Sequence, residues 1–198
     1  SMDSLRNHRG YASLGAVYEV NDRHSIGAEG YYQISTTRNR TNSTSTFTNG
    51  SSVENSSLYS GYEKRNVWSA SANYIAKLDT LGSTFKLIGD FYSQINNDND
   101  DYSNRALSAG VATDSTYRSI VGTDYRIYSL SAALEKNFNA KTSLHAGAKY
   151  TRNEMNNDLL YEYLSGGAWN VHDGQTIDIN FTENIAAAYA IINTKFGK

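Results

Sequence analysis

Apolar side chains recur at every second position along most of this chain, a spacing that admits little besides β-strands. It is clearest between Tyr125 and Tyr150, YRIYSLSAALEKNFNAKTSLHAGAKY. Tyr128, Leu130, Ala132 and Leu134 alternate with Ser129, Ser131, Ala133 and Glu135. After the polar stretch Asn137 to Lys141, Leu144, Ala146, Ala148 and Tyr150 alternate with His145, Gly147, Lys149 and Thr151. Period two puts each set on one face of a strand, so the stretch predicts a hairpin with one apolar and one polar face. The apolar face is built of small residues with an aromatic near one end, which suits lipid as well as a packed core.

The same design repeats on either side. Ala12, Leu14, Ala16, Tyr18 and Val20 share a face, then Ile26, Ala28, Gly30, Tyr32 and Ile34, with Asn21-Asp22-Arg23 as turn chemistry between them. Trp68, Ala70, Ala72, Tyr74, Ala76 and Leu78 follow, then, past DTLGS (Asp79 to Ser83), Phe85, Leu87, Gly89 and Phe91. A further extended stretch runs from Tyr150 to Leu164, and a last strand is expected over Thr176 to Asn193. Within it the alanines of Glu183 to Ile192 favour helix, but the period favours strand. Ser1 to Arg9 is polar and expected as loop. Thr36 to Arg65, rich in Thr, Ser and Asn, reads either as disordered low complexity or, given Asn49-Gly50, as extended arms beyond a barrel rim. With Asn96 to Thr123 and Ser165 to Gln175 it makes three long connections alternating with three short turns, the asymmetry of a membrane barrel.

The chain has no Pro in 198 residues, where about one residue in twenty is usual. Pro removes a ladder hydrogen bond, so its absence fits long, continuously paired strands. Tyr is abundant at 16 residues. The net charge of -2 provides no basic stripe for nucleic acid. The absence of Cys removes disulfides and thiolate chemistry. No signal peptide is legible in Ser1 to Gly10. A mean hydropathy of -0.58 is compatible with a barrel whose loops and inner face meet water.

Catalytic and metal-binding patterns are absent from the sequence. His8, His24, His145 and His172 have no ligand spacing, and no nucleophile elbow, P-loop or paired-histidine zinc motif occurs. Asn96 to Asp101, NNDNDD, places Asp98 and Asp100 at the first and third positions of a calcium loop, but Tyr102 and Ala109 fall where oxygen ligands are needed. No enzyme activity, cofactor or metal is expected.

Three stretches carry a family resemblance: YIAKLDTLGSTFKLIGDFYS (Tyr74 to Ser93), DYRIYSLSAALEKNFNAKTSLHAGAKYTRNEMNND (Asp124 to Asp158) and FTENIAAAYAIINTKFGK (Phe181 to Lys198). In order and spacing the chain resembles the outer-membrane β-barrel family of Bacteroidetes-type bacteria, related to the barrel of TonB-dependent receptors. The resemblance implies the bacterial outer membrane, a large antiparallel barrel, and a carboxypeptidase-like domain and plug ahead of it. Neither is present in these 198 residues, and the chain ends in Gly197-Lys198 without a terminal aromatic, so it is expected to be an internal segment.

The expectation is therefore an all-β, antiparallel up-and-down meander of about seven strands over residues 1–198, part of a larger transmembrane barrel or an open curved sheet. Lipid, the remaining strands of the parent and a plug would be its partners, and the parent would serve nutrient uptake or receptor roles. Glu29, Asp90, Glu135 and Lys149 are expected to line the lumen. Tyr18, Tyr32, Trp68, Tyr74, Tyr128, Tyr150 and Tyr189 are expected as interfacial aromatics, and Glu183, on the face assigned to Tyr189, at the outer rim. A soluble β-sheet module that binds glycans or mediates adhesion is the alternative.

Overall fold

The computed structural model describes residues 2–48 and 52–195. Eight strands follow in order: β1 (Met2–Asn21), β2 (His24–Thr48), β3 (Ser52–Lys77), β4 (Thr84–Ser108), β5 (Val111–Asn137), β6 (Thr142–Ser165), β7 (Ala168–Val171) and β8 (Ile177–Thr194). From β1 to β6 each pairs antiparallel with the next, without crossover. β7 and β8 both pair with β6, β7 against residues 162–165 and β8 against 142–159. They form one column interrupted by an insertion. There the His172 amide donates to the Tyr161 carbonyl at 2.8 Å, and the Gln175 and Thr176 amides donate back to the His172 carbonyl. The eight strands thus make seven columns, as the meander expectation has it.

Strand length departs from the sequence reading. Residues 2–9, expected as loop, belong to β1 and pair with β2. Two of the three long connections are strand: Thr36 to Thr48 pairs with 52–64, and Asn96 to Ser108 pairs with both β3 and β5. Asn49-Gly50 lies outside the described residues. For Thr36 to Arg65 the extended-arm reading is the one found; for Asn96 to Ser108 polar composition suggested a long connection, but a ladder is held by backbone hydrogen bonds, and this strand, flanked on both sides, has them satisfied whatever its side chains. The asymmetry expected of the loops is carried by the hairpins, whose polar halves extend past the apolar ones. Asn96 to Asp101 is consequently straight strand, with Asp98 and Asp100 on one face and Asp101 on the other, and cannot wrap a cation.

The connections at both ends are tight. Asn21 Oδ1 accepts from the Arg23 and His24 amides, and Asp79 Oδ1 accepts from the Leu81 and Ser83 amides. At the opposite end Ala109-Gly110 and Gly166-Gly167 all have positive φ, the requirement of a two-residue turn matched to strand twist.

The sheet is one layer thick. Among the described residues only Val67 and Ala76 are buried apolar side chains, whereas Tyr18 is 69% exposed, Leu130 54% and Trp68 52%. Glu183 to Ile192 is strand throughout.

Candidate functional site

Register fixes the two faces. On one, Leu14, Gly30 and Ala70 stand side by side, as do Ala16, Ala28, Ala72 and Gly89, and, farther along, Leu87, Ala132, Ala148 and Ala188. This is the small-residue face. The other carries Ser71, Asp90 and Ser129 in one row and is the polar face.

Aromatics bound the small residues on the first face. Tyr32 packs on Trp68 with ring centroids 4.1 Å apart, Phe91 on Tyr128 at 5.3 Å, and the Tyr150 hydroxyl donates to Asn184 Oδ1 at 2.7 Å. These residues are not in one hydrogen-bonded row. Phe91 pairs with Ala70, two residues nearer the short turns than Trp68, and Tyr150 pairs with Leu130, again two nearer than Tyr128. Across four interstrand steps of about 4.8 Å the line descends by four residues of about 3.3 Å, an inclination of about 35°. Six residues closer to the turns a second line descends in parallel. It runs through Tyr18 and Tyr74, which share a row, to Phe85 and then Leu144. The Tyr74 hydroxyl and His24 Nδ1 are 2.7 Å apart.

Six of the seven expected interfacial aromatics lie on the small-residue face. Tyr189 does not. It pairs with Gly147 on the polar face, and so do Ile185 and Ile191 of β8 with its other odd residues, while Ala186, Ala188 and Ala190 complete the small-residue face. From Ile185 to Ile192 both alternate sets of β8 are apolar, and from Ile177 to Thr182 the apolar residues are the odd ones, so alternation alone sends the odd set to lipid; the register on β6 turns it to the polar face. Glu183 moves with them: it faces Asn153 on the polar side, whose Nδ2 donates to Glu183 Oε2 at 3.0 Å.

On the polar face Glu29 and Asp90 share a row, with Ser71 between them donating to Asp90 Oδ1 at 2.8 Å. With Ser13, Gly15, Tyr31 and Tyr92 they line a hollow of about 490 Å³. Glu135 and Lys149 occupy the same face but not that hollow, Glu135 opposite His145 and Lys149 opposite Ser131.

The extended halves add a group that the strand-by-strand reading did not assemble. Tyr59, Tyr102, Tyr117 and Tyr161 form a row over β3 to β6 on the polar face, with centroids 5.1, 4.7 and 5.6 Å apart in succession. His172 meets Tyr161 edge-on at 6.0 Å. The Tyr59 hydroxyl donates to Asp100 Oδ1 at 2.8 Å. Burial, with Asp100 next, pushes that phenol up to about 12, and burial also raises Tyr102 and Tyr161. Asp98, directly opposite Glu63, is raised by burial and then by Glu63 and Asp100, and its Oδ1 has no hydrogen-bond partner. Because the rings stack on one another, the row presents ring edges, hydroxyls and carboxylates, groups that hydrogen-bond polar ligands. Tyr59, Tyr102 and Tyr117 fall within the stretches expected as long connections, as do Phe47, Tyr62 and Trp169. Of the last three, Tyr62 and Trp169 lie on the small-residue face, Tyr62 under Arg38 at 5.3 Å and Trp169 under Arg118 at 4.3 Å.

Residues 76–198 match the family model described as the outer membrane protein beta-barrel family. The chain belongs to this family. Its place is the outer membrane, and its open antiparallel meander is a section of such a barrel. No curated relative matches the sequence. Among solved structures the ferric citrate transporter FecA, in unliganded form, aligns over 98% of this chain and 26% of its own, with TM-score 0.50 and 11% identity. At that identity the likeness is one of fold. The ferric yersiniabactin uptake receptor FyuA from Yersinia pestis aligns over 94% of this chain and 25% of its own, with TM-score 0.48 and 12% identity. The chain spans about a quarter of the length of each. Membership in the outer membrane family displaces the soluble binding module.

Proposed function

We propose that this chain is wall from an outer-membrane barrel of TonB-dependent receptor type, working in recognition and uptake of polar nutrients rather than in catalysis. The small-residue face meets lipid. The polar face, with Glu29, Asp90, Glu135 and Lys149, lines a lumen that a plug domain would occupy. The observation that carries this reading is the pair of parallel oblique lines. Barrel strands tilt by about 35–45° from the axis, and a level membrane boundary drawn on tilted strands must cross their hydrogen-bonded rows at that same angle. Between the two lines the small residues of β4 run from Phe85 to Phe91, about 20 Å along the strand and about 16 Å in height, which lies within an apolar band of about 25 Å. The extended hairpin halves then rise beyond the membrane and hold the tyrosine row toward the incoming ligand.

Trp68 and Trp169 are the two tryptophans, so a Trp169→Phe protein reports Trp68 alone. In vesicles its fluorescence should be quenched by lipids brominated near the carbonyl and spared by lipids brominated at the chain end; quenching by neither would remove the lipid-facing assignment. The recognition half is checked separately with Tyr102→Ala and Asp100→Asn in cells supplied with labelled oligosaccharides and short peptides. Uptake of every probe at the wild-type rate by both variants would remove it.

A further inference from the structure

Tyr59, Tyr102 and Tyr117 are successive cross-strand partners on β3, β4 and β5, and Tyr161 of β6 stacks on Tyr117. Of the four contacts between tyrosine rings among the described residues, three belong to this row; the fourth, Tyr92 with Tyr125, is edge-on at 6.4 Å. Tyr102 and Tyr117 are the most nearly parallel, at 4.7 Å and 14°. Directly opposed residues have Cβ atoms about 4.5 to 5.5 Å apart, so two such phenols reach each other's ring carbons by side-chain rotation alone.

The row also holds a place for a proton. Burial, then Asp100, raises both the Tyr59 and Tyr102 phenols, Tyr59 to about 12, so neither is a phenolate at neutral pH and an electron leaves such a ring only together with its proton. At Tyr59 the acceptor is already aligned, because its hydroxyl donates to Asp100 Oδ1 at 2.8 Å and a hydrogen bond to a carboxylate is a strong one. Ring contacts at 5.1, 4.7 and 5.6 Å then carry the electron vacancy along the row. No ring outside the row combines a stacked tyrosine neighbour with a route to a carboxylate among the described residues.

We propose that this row is an oxidative cross-linking site, at which one-electron oxidants formed from hydrogen peroxide join Tyr102 to Tyr117 as a covalent biphenol, with Tyr59 to Tyr102 as the lesser product. In each oxidation a phenol gives one electron to the oxidant and its proton to a base, Asp100 for Tyr59 and water for the others. Two neighbouring radicals then form one carbon–carbon bond between the ring carbons adjacent to C–O, and the hydrogens displaced from those carbons restore the two phenol hydroxyls. Two phenols and one hydrogen peroxide thus give one biphenol and two water molecules. The bond closes the β4–β5 hairpin below its Ala109-Gly110 turn and fixes strands otherwise held by backbone hydrogen bonds alone. It depends on the register of β3 to β6 and not on which face meets lipid, so it stands apart from the function proposed above.

The test treats outer membranes carrying the full-length protein with hydrogen peroxide and a small haem-peptide peroxidase, and identifies cross-linked tryptic peptides by mass spectrometry. Lys64, Arg105 and Arg118 separate the four tyrosines in sequence, so every link within the row joins two peptides. The Tyr102 to Tyr117 link is expected to dominate, at least fivefold above any link between Tyr92 and Tyr125. Tyr117→Phe keeps the stacking ring but should abolish that link and move the yield to Tyr59 with Tyr102. Asp100→Asn still accepts a hydrogen bond but is no base, and should slow cross-linking at least threefold without changing the product. Heat-modifiable mobility on gels verifies that each variant is folded. Links that join different molecules, links mainly outside the row, or equal yields from Tyr92 with Tyr125 and from Tyr102 with Tyr117 overturn the proposal; an unchanged rate in folded Asp100→Asn overturns the proton transfer on which it rests.

Discussion

Tyr189 lies across Gly147 on the polar face, where a Cβ on the glycine would come within 2.6 Å of the tyrosine ring. The two are cross-strand partners, and the ring fills the place of the missing side chain on β6. Gly147→Ala should therefore turn the ring aside, and because only the far end of an exposed side chain is met, the folded protein should lose about 0.5 to 1 kcal/mol. In a Tyr189→Ala background the same change should be nearly silent. Urea unfolding in lipid vesicles of the single and double variants measures the coupling, and additive effects would separate the pair.

Ala132 and Ser131 are adjacent residues on opposite faces. Arg at Ala132, which stands between Leu87 and Ala148, should cost about 2 to 4 kcal/mol near the bilayer midplane. Arg at Ser131, on the polar face, should fold with wild-type yield. Equal folding yields into vesicles would count against a lipid-facing small-residue surface. Gly147 is unsuited as the polar-face control because Tyr189 covers it.

The Ala109-Gly110 turn forces Ala109 to φ 49, a left-handed conformation that costs an alanine about 1 to 2 kcal/mol. Ala109→Gly removes the steric penalty, and Ala109→Asn reduces it, so each should stabilise the β4–β5 hairpin, by about 0.5 to 1 kcal/mol. Loss of stability in both variants would mean that this turn is not of the two-residue type.

Asp79 is held well below the ordinary carboxylate range, first by Lys136 Nζ at 2.7 Å and then by Ser83. A depressed pKa means the carboxylate form is favoured on folding. Its contribution is complete above the unfolded carboxyl value near pH 4 and is lost only as pH falls through the lower folded value. Hydrogen-exchange protection of the Leu81 and Ser83 amides, corrected for intrinsic rates, should thus hold from pH 7 to about 4. Asp79→Asn should keep part of that protection, because its amide oxygen still accepts, and Asp79→Ala should lose it. Protection that fades between pH 6 and 5 in the wild type would contradict the pairing.

Paired strand resists protease better than loop does. Protease added to intact cells should cut at Ala109-Gly110 and between Gly166 and Thr176, while leaving Arg38 to Thr46 and Asn96 to Asn104 intact. Rapid cleavage within Asn96 to Asn104 would restore the long-loop reading of that segment.

Alternation of apolar and polar side chains is a local property, and it determined the all-β class, the order of strands and the faces of β1 to β6. Small residues between aromatics and the absence of Pro were equally legible, as was the outer-membrane resemblance. Tertiary structure decided the rest. Asn96 to Ser108 became strand because neighbours on both sides satisfied its backbone groups, a condition that no side-chain pattern encodes, and pairing decided for extended arms between the two readings open for Thr36 to Arg65. Tyr189 and Glu183 turned to the polar face because pairing with β6 sets the orientation of β8, against an alternation whose more apolar set is the odd one. Tyr59, Tyr102, Tyr117 and Tyr161, far apart in sequence, came into one row for the same reason: a face is written within a strand, but a register is written between strands.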